Sequence, residues 1–462
     1  MGGRLRRIVG WLRHRTRLGW ATVGHSTRCY GYYVDPERID AYTKTEIDFR
    51  SGNGSQPAIL TTLGAVCVRA QNRYRWNDLG KLDTLAANVP CYEWNPYEGE
   101  WNYAPSFAIG TRWTRSADVS NASWTKTGCT ANPGNTTTAP DQALTAMFVA
   151  EAATTALHEV SRTQVVSVSG QVFYMHFIVK MVGRDFVALD FKNTNGVFAG
   201  NTVVFGGMLT TPYVFSNPSG ITVEVIKRGD GWVELGVATF SLAAATATCA
   251  LVFCDDNGVP STTTAYLGDI TKGCYWFQGQ NYATVHMLPP VVTAASNITI
   301  AADDYRVPLS AFAGFGPMET FFAEARTRQF LSSSIRMLAS TGVLADNNTA
   351  NRSALYINLT GTGVFTAGMT SGGGSTNSFS VPIGSGMQKI AGSYKLNQVS
   401  IAVNGNKLGR VMGAYLRPVG VDTLYIGQSS SKAQQWPGWM RKLTIYHRKS
   451  FDYFQMLRKQ NG

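Results

Sequence analysis

A repeated alternation of apolar and polar residues is the feature that most limits how this chain can fold. Side chains along a β-strand point alternately to opposite faces, so such spacing predicts a half-buried strand. It recurs at residues 221–225, 355–359 and 399–403, and clusters of Gly, Asn, Asp and Pro separate these segments. Short strands with such turns predict an all-β protein made of β-sandwiches. The clearest example has five apolar residues at every second position: Phe173, Met175, Phe177, Val179 and Met181.

The composition of the 462-residue chain supports an all-β fold. Only 15% of its residues are charged, whereas long solvated helices need many Lys and Glu, and the hydrophobic content of 44% excludes a disordered chain. A chain of this length is longer than one hydrophobic core usually supports, so more than one domain is expected. We predict two consecutive β-sandwich (jelly-roll) domains preceded by a basic N-terminal anchor segment. The predicted divisions are the anchor at 1–46, a lead-in segment at 47–104, sandwiches at 105–290 and 303–462, and a linker at 289–303.

The net charge of +12 is concentrated at the two ends of the chain. Residues 1–28 contain seven arginines and no acid, and the apolar residues between them fall on one face of a short predicted helix. We interpret this helix as an anchor that binds an acidic partner protein; a solvated tail and a membrane- or nucleic-acid-binding helix are the alternatives. At residues 432–462 we expect a solvated basic face, or a contact with an acidic neighbour or anionic glycan. The anchor residues are Arg4, Arg6, Arg7, Arg13, Arg15 and Arg17.

The sequence contains no recognisable catalytic or cofactor-binding motif. Its six His residues never form H-E-x-x-H, and neither a G-x-S-x-G elbow nor a phosphate-binding glycine motif occurs. Glu319 and Glu324 lie five residues apart, so on a strand they point to opposite faces and do not form a glycosidase pair. We therefore expect no catalysis, no cofactor and no metal. The segment Asp255-Asp256-Asn257-Gly258 is interpreted as a turn, with calcium binding as the alternative.

Cysteine usage and hydropathy indicate where such a chain is made. Seven cysteines without a C-x-x-C pair favour free thiols. No apolar run approaches the ~18 residues of a membrane span, and no secretory signal is recognisable. We expect assembly in the cytoplasm, no membrane span and no specific nucleic-acid binding, because the body of the chain between its basic ends is close to neutral.

Aromatic residues suggest a ligand class. Eleven Trp and 20 Tyr suit stacking on sugars, whose apolar C–H faces aromatic rings can cover. Trp436 and Trp439, which flank a Pro-Gly turn, are the candidate glycan-binding residues together with Tyr425. We expect Trp101, Trp113 and Trp124 to lie in a core or an interface between subunits, as most Trp residues of a sandwich do.

Several short motifs, in a consistent order, resemble a family of bacteriophage virion proteins. In that family a lead-in segment precedes a carbohydrate-binding-module-like jelly roll, whose opening and close resemble residues 121–126 and 268–278. Residues 389–395, 424–427 and 438–446 are similar to the concanavalin-A-like (laminin-G-type) domain that follows. The motifs that resemble the lead-in are Phe49-Arg50-Ser51-Gly52, Val68-Arg69-Ala70, Asp78-Leu79-Gly80-Lys81-Leu82, Ala87-Asn88-Val89-Pro90 and Tyr92-Glu93-Trp94-Asn95-Pro96.

The resemblance implies a non-enzymatic structural protein of the virion. It implies a tail-fibre or tail-associated adhesin that binds host surface glycan, with a capsid or collar decoration protein as the alternative; a glycan-degrading enzyme and a secreted bacterial lectin are further alternatives. Such a protein would form a homotrimer or higher oligomer in the virion after assembly in the bacterial cytoplasm. Other virion proteins would hold it through the basic N-terminal segment.

Overall fold

The computed structural model of the chain describes residues 44–105, 108–193, 195–218, 221–282, 289–312, 319–327, 335–342, 344, 352–359, 365–371, 376–380, 386–395, 398–412, 418, 420–431, 434–436 and 438–447. The chain divides into two units, Met1–Tyr42 and Thr43–Gly462, and the described residues belong to the second. All six predicted anchor arginines lie outside the described residues, so their role stays a prediction: Arg4, Arg6, Arg7, Arg13, Arg15 and Arg17.

The described secondary structure is almost entirely β, which confirms the predicted all-β fold class. Helical structure in this part of the chain comprises α1 (Ala58–Thr62) and the 3₁₀ turns Phe49–Gly52, Gly229–Gly231 and Leu309–Ala311. None of these helices is long and apolar enough to cross a membrane. The strands up to Tyr282 are β1 (Lys44–Asp48), β2 (Val66–Val68), β3 (Arg73–Trp76), β4 (Leu82–Leu85), β5 (Tyr92–Asn95), β6 (Glu100–Tyr103), β7 (Ile109–Gly110), β8 (Thr125–Thr127), β9 (Cys129–Thr137), β10 (Ala146–Glu151), β11 (Thr155–Ala156), β12 (Glu159–Val165), β13 (Val172–Val182), β14 (Val187–Lys192), β15 (Asn201–Gly206), β16 (Tyr213–Ser216), β17 (Thr222–Lys227), β18 (Val233–Phe240), β19 (Thr246–Phe253), β20 (Tyr266–Leu267) and β21 (Gly273–Tyr282). The later strands are β22 (Thr299–Ile300), β23 (Asp304–Pro308), β24 (Glu319–Thr327), β25 (Ile335–Gly342), β26 (Ser353–Leu359), β27 (Phe365–Ser371), β28 (Thr376–Ser380), β29 (Met387–Lys395), β30 (Gln398–Val403), β31 (Asn406–Met412), β32 (Thr423–Ile426) and β33 (Gly438–His447).

Two six-stranded antiparallel sheets form a central sandwich. Their strand orders are β17-β18-β13-β21-β10-β9 and β16-β15-β14-β19-β12-β8. The inner faces enclose one apolar core, and each fully buried Val, Leu, Ile, Phe or Met contributes roughly 1.5–3 kcal/mol to folding. Trp113 and Trp124 lie in this core, as predicted, and Trp101 is also buried. Other core side chains include Phe177, Leu189, Phe205, Leu251 and Trp276.

Strand β13 corresponds to the alternating segment 173–181, but both of its faces are buried, not one. The outward-pointing Tyr174 packs in a cluster with Val291 and Ile300, and Ile178 packs in another with Trp76 and Leu82. The lead-in segment and the residues after β21 supply these covering side chains. The prediction of a half-buried strand is therefore wrong for its outer face, because a periodic pattern cannot indicate which other part of the chain covers a sheet.

A second sandwich is made from strands at both ends of the described chain. One sheet has the order β31-β30-β29-β24-β33-β6-β5, with β1 also paired to β33, and the other has the order β2-β23-β32-β25-β26-β27-β28. Strands β1, β2, β5 and β6 come from the predicted lead-in, so the central sandwich is inserted between two parts of this C-terminal sandwich. Its core includes Ile47, Tyr305, Phe321, Leu355, Ile401, Leu424 and Ile445.

Residues 289–303, predicted to link the sandwiches, run along the central sandwich with many specific hydrogen bonds. The Thr293 amide donates to the Ser116 hydroxyl at 2.8 Å, and its hydroxyl donates to the Trp113 carbonyl at 2.8 Å. Strand β22 then pairs with β7. These bonds hold the segment against one sandwich as part of the folded structure.

Part of the C-terminal basic charge is neutralised inside the fold. The Arg441 Nε atom donates to Glu100 Oε1 at 2.5 Å, and the Lys442 Nζ atom lies 2.8 Å from Glu46 Oε1. Arg441 also lies near Glu324. Acidic residues of the same chain therefore pair with Arg441 and Lys442. Neither a fully solvated face nor a contact with another molecule, as predicted from the sequence, accounts for these two charges.

The six described cysteines are buried free thiols, which agrees with the expectation from their spacing. Burial raises the pKa of the Cys67 thiol to about 12 and that of Cys91 to about 11, because it disfavours the charged thiolate. Both thiols are therefore protonated and unreactive at neutral pH.

A fully buried ion pair joins the lead-in to the C-terminal sandwich. Asp303, just before β23, accepts hydrogen bonds from Arg69 at 2.5 Å and from Arg73 at 3.2 Å. The side chains of Arg69 and Asp303 have no exposed surface. Removing one partner of such a pair leaves an uncompensated charge in the interior.

We predict that Asp303→Asn lowers the free energy of unfolding by about 3–5 kcal/mol, because two buried guanidinium groups then lose their counter-charge. Urea unfolding followed by tryptophan fluorescence measures this change. The matched control is Asp83→Asn, whose carboxylate pairs with Arg75 in a one-third-exposed position and should cost less than about 1 kcal/mol. Equal effects of the two substitutions would contradict the proposed importance of the buried pair.

Candidate functional site

The three predicted glycan-binding residues are buried, although the Pro-Gly pair between Trp436 and Trp439 is typical of an exposed turn. Trp436 has no accessible surface, and only 1% of Trp439 and 2% of Tyr425 is accessible. Trp436 belongs to the core of the C-terminal sandwich. Trp439 packs on the lead-in residues Leu85 and Cys91. None of these three rings presents a face on which a sugar could stack, because almost none of their surface is accessible.

An open cleft lies at one end of the central sandwich, where β10 and β13 end and β21 begins. Its volume is about 540 Å³, within the range of roughly 300–1,000 Å³ that is usual for ligand sites. The β11–β20 ribbon, the turn at 255–258 and the segment 268–272 supply its walls. The side chains or backbones that line it belong to Ala153, Arg184, Asp255, Asp256, Asn257, Tyr266, Leu267, Gly268, Asp269, Ile270 and Lys272.

The buried carboxylate of Glu151 organises the floor of this cleft. The Arg184 guanidinium donates to both Glu151 oxygens, through Nε and Nη2, at 2.8 Å each. The Tyr266 hydroxyl donates to Oε1 at 2.8 Å, and the Asp269 amide donates to Oε2 at 3.1 Å. The guanidinium also lies over the Tyr266 ring, 4.7 Å from its centroid. One carboxylate thus fixes Arg184 and the segment 266–269 in a single geometry.

The mouth of the cleft carries accessible charged groups. Asp256 accepts a hydrogen bond from Arg184 Nη1 at 2.7 Å and lies 3.5 Å from the Lys272 ammonium, while its side chain remains 70% exposed. Burial alone would raise the pKa of Asp256, but the hydrogen bond and charge of Arg184, with the charge of Lys272, hold it below its usual value. The amide and hydroxyl of Thr271 likewise lower the pKa of Asp269. Both carboxylates are therefore ionised at neutral pH.

Two aliphatic side chains stand beside these charges. Leu267 is 67% exposed and Ile270 is 65% exposed. Because the ribbon and the adjoining turn hold them outward, they give the polar cleft an apolar rim. A ligand that fills the cleft would contact hydrogen-bonding groups and apolar surface at the same time.

A close backbone approach fixes the wall next to the rim. A Cβ atom at Gly268 would lie 2.2 Å from the Ala152 carbonyl oxygen, so only glycine fits there. The buried His158 ring reaches the Gly128 carbonyl oxygen at 2.7 Å and that of Tyr266 at 3.1 Å. The wall is thereby attached to the sandwich on both sides.

The structure unites two segments that the sequence indicated separately and adds residues that it did not. The turn at 255–258 and the segment 268–278 were singled out by composition and by the family resemblance. Asp255 accepts hydrogen bonds from the amides of Asn257 and Val259, as in a turn. Arg184 and Glu151 carry no local sequence signal, since their role arises from pairing across strands. The part of the chain that the structure describes contains no group of three His, Cys, Asp or Glu side chains placed to hold a metal.

No protein-family model matches the chain, and a search of curated proteins finds no significant match. Among solved structures, it is similar to the CBM40 of Ruminococcus gnavus IT-sialidase bound to α2,3-sialyllactose, with 17% identity and a TM-score of 0.27 over 31% of this chain and 82% of that one. It is also similar to domain 4 of AbnA, a GH43 extracellular arabinanase from Geobacillus stearothermophilus in complex with arabinotriose, with 11% identity and a TM-score of 0.26 over 37% and 84%. A heptameric SAP-like pentraxin from Limulus polyphemus matches with 14% identity and a TM-score of 0.25 over 30% and 68%.

We predict that Trp436→Ala lowers the free energy of unfolding by about 3–5 kcal/mol, because it opens a large cavity in the core of the C-terminal sandwich. Urea unfolding measures the loss, and Leu267→Ala, which truncates an exposed side chain, is the control with little expected effect. A stability unchanged by Trp436→Ala would show that this ring is not part of the core.

Proposed function

We propose that the protein is a non-enzymatic glycan-binding protein of a bacteriophage virion, a tail-fibre or tail-associated adhesin, and that the cleft of the central sandwich holds the glycan. One observation carries the proposal: cations and carboxylates stand side by side in an open cleft with an aliphatic rim. Sugar hydroxyls both donate and accept hydrogen bonds, so Lys272 and Asp256 suit adjacent hydroxyl groups. The apolar C–H faces of a sugar suit Leu267 and Ile270.

The pKa values of two carboxyl groups in the cleft do not suit the proton donor of a glycosidase. A glycosidase needs one carboxyl group with a raised pKa as the proton donor. The pKa values of Asp256 and Asp269 are lowered, which is the opposite requirement. Burial raises the pKa of Asp190, but this residue is hydrogen-bonded to Thr202 and does not line the cleft.

The charge balance of the cleft favours an uncharged glycan. Three carboxylates and two cations line it, and the negative charge of Glu151 lies directly beneath. A sialic or uronic acid would place another carboxylate among them, with little shielding between charges this close. A neutral sugar meets no such repulsion.

The virion assignment is supported by the motifs of the lead-in and of both sandwiches, in their order along the chain. The seven arginines of residues 1–28 support attachment to an acidic surface of a neighbouring virion protein.

We predict that Lys272→Ala lowers the affinity for a neutral oligosaccharide at least about tenfold, since a charge-assisted hydrogen bond contributes roughly 1.5–3 kcal/mol. Binding to a printed array of neutral and sialylated oligosaccharides, followed by calorimetry on the best neutral ligand, measures the change. Lys180→Ala is the matched control, because Lys180 is also half-buried on the central sandwich but lies outside the cleft. Stronger binding of sialylated than of neutral glycans would contradict the charge argument, and release of reducing sugar would favour an enzyme.

We predict that replacing Arg4, Arg6, Arg7, Arg13, Arg15 and Arg17 with Gln, or deleting residues 1–28, strongly reduces incorporation of the protein into phage particles. Quantitative mass spectrometry of purified particles measures the copy number. Retained glycan binding by the same variants is the control for a folded body. Unchanged incorporation would refute the anchor, and hundreds of copies per wild-type particle would favour a capsid decoration protein.

A further inference from the structure

An exposed aromatic surface lies on strand β16, at one edge of its six-stranded sheet. All four residues of this strand are exposed, including Tyr213 at 47% and Phe215 at 50%. We call Tyr213, Phe215 and the adjoining Phe186 the aromatic edge. Bulky aromatic side chains on a surface that folding leaves open are a common sign of a binding site.

The rings of the aromatic edge are held in place. The Phe215 ring is 5.1 Å from that of Phe186 and 6.5 Å from that of Tyr213, both in edge-to-face geometry. Tyr213 covers the backbone of Gly206, where an added Cβ atom would lie 2.9 Å from the phenol. A ligand that stacks here meets a surface already ordered, so little conformational entropy is lost on binding.

The turn at 255–258 connects the aromatic edge to the cleft. Asp255, Asp256 and Asn257 line the cleft. Gly258, the last residue of the same turn, faces the aromatic edge: a Cβ atom there would lie 3.0 Å from Phe186 and 3.2 Å from Phe215. Such a turn is less than about 7 Å wide, so the two surfaces are immediate neighbours.

We infer that the glycan continues from the cleft across the turn at 255–258 onto the aromatic edge, so that the ligand is a neutral oligosaccharide of several sugars and not a monosaccharide. This inference rests on the proposed function. One sugar occupies the cleft and meets its hydrogen-bonding groups, and a later sugar stacks its apolar face on Phe215. The continuity of the aromatic edge with the cleft favours this occupant over a protein partner.

The test compares the binding of glycans that differ in their number of sugars. Wild-type protein, Phe215→Ala and Phe215→Trp are measured on an array that presents neutral glycans of one to six sugars, and affinities follow from titration of the protein. Phe240→Ala is the matched control, because Phe240 is 38% exposed and lies at the other end of the same sandwich. Thermal unfolding verifies that each variant is folded, and sedimentation measures its oligomeric state.

The inference predicts that Phe215→Ala weakens binding of glycans with three or more sugars about tenfold, leaves single sugars unaffected, and is rescued by Phe215→Trp. An equal effect on all lengths, or none, overturns the extended site while leaving the cleft as the glycan site. A change in oligomeric state on Phe215→Ala instead identifies the aromatic edge as a contact between copies of the chain. No binding of any glycan by the wild-type protein overturns both the extended site and the proposed function.

Discussion

The arrangement of the molecule depends on the burial of both faces of β13 and its neighbours. Tyr174 and Ile178 point away from the core of the central sandwich and would expose apolar surface if that sandwich stood alone. The lead-in supplies Trp76 and Leu82 to cover Ile178, and its other strands complete the C-terminal sandwich. The hydrophobic gain from covering this face holds the β3–β4 hairpin of the lead-in against the central sandwich.

Buried charges give this apolar contact a definite geometry. Arg228 pairs with Glu234, which also accepts from His176 at 2.9 Å, and the guanidinium lies 4.2 Å from the Trp76 ring centroid. An apolar face alone tolerates sliding, whereas a buried cation needs its partners at fixed positions. The same reasoning applies to Glu151, which fixes the floor of the cleft. Buried carboxylates thus hold together segments that are distant in sequence, both where the lead-in packs on the central sandwich and at the candidate site.

Much of the fold could be predicted from the sequence, but the position of the site could not. The strands at residues 221–225, 355–359 and 399–403 follow from period-2 alternation, and Trp113 and Trp124 lie in a core as expected. By contrast, Trp436 and Trp439 flank a Pro-Gly pair, which is typical of an exposed turn, yet both are buried, and Trp439 packs on lead-in residues that lie hundreds of positions earlier. Local composition indicates how a segment folds and does not indicate what packs on it.

The sequence by itself determined the all-β class, the turns and the location of the charge excess, because each depends on residue type and spacing within a few positions. The tertiary structure decided which strands share a sheet, which aromatic rings are covered and which charged groups meet. Arg184, Glu151 and Asp256 form one site only because β10, β13 and the turn after β19 reach the same end of the sandwich. Such contacts between distant residues depend on strand order and on long-range burial, which no short stretch of sequence specifies.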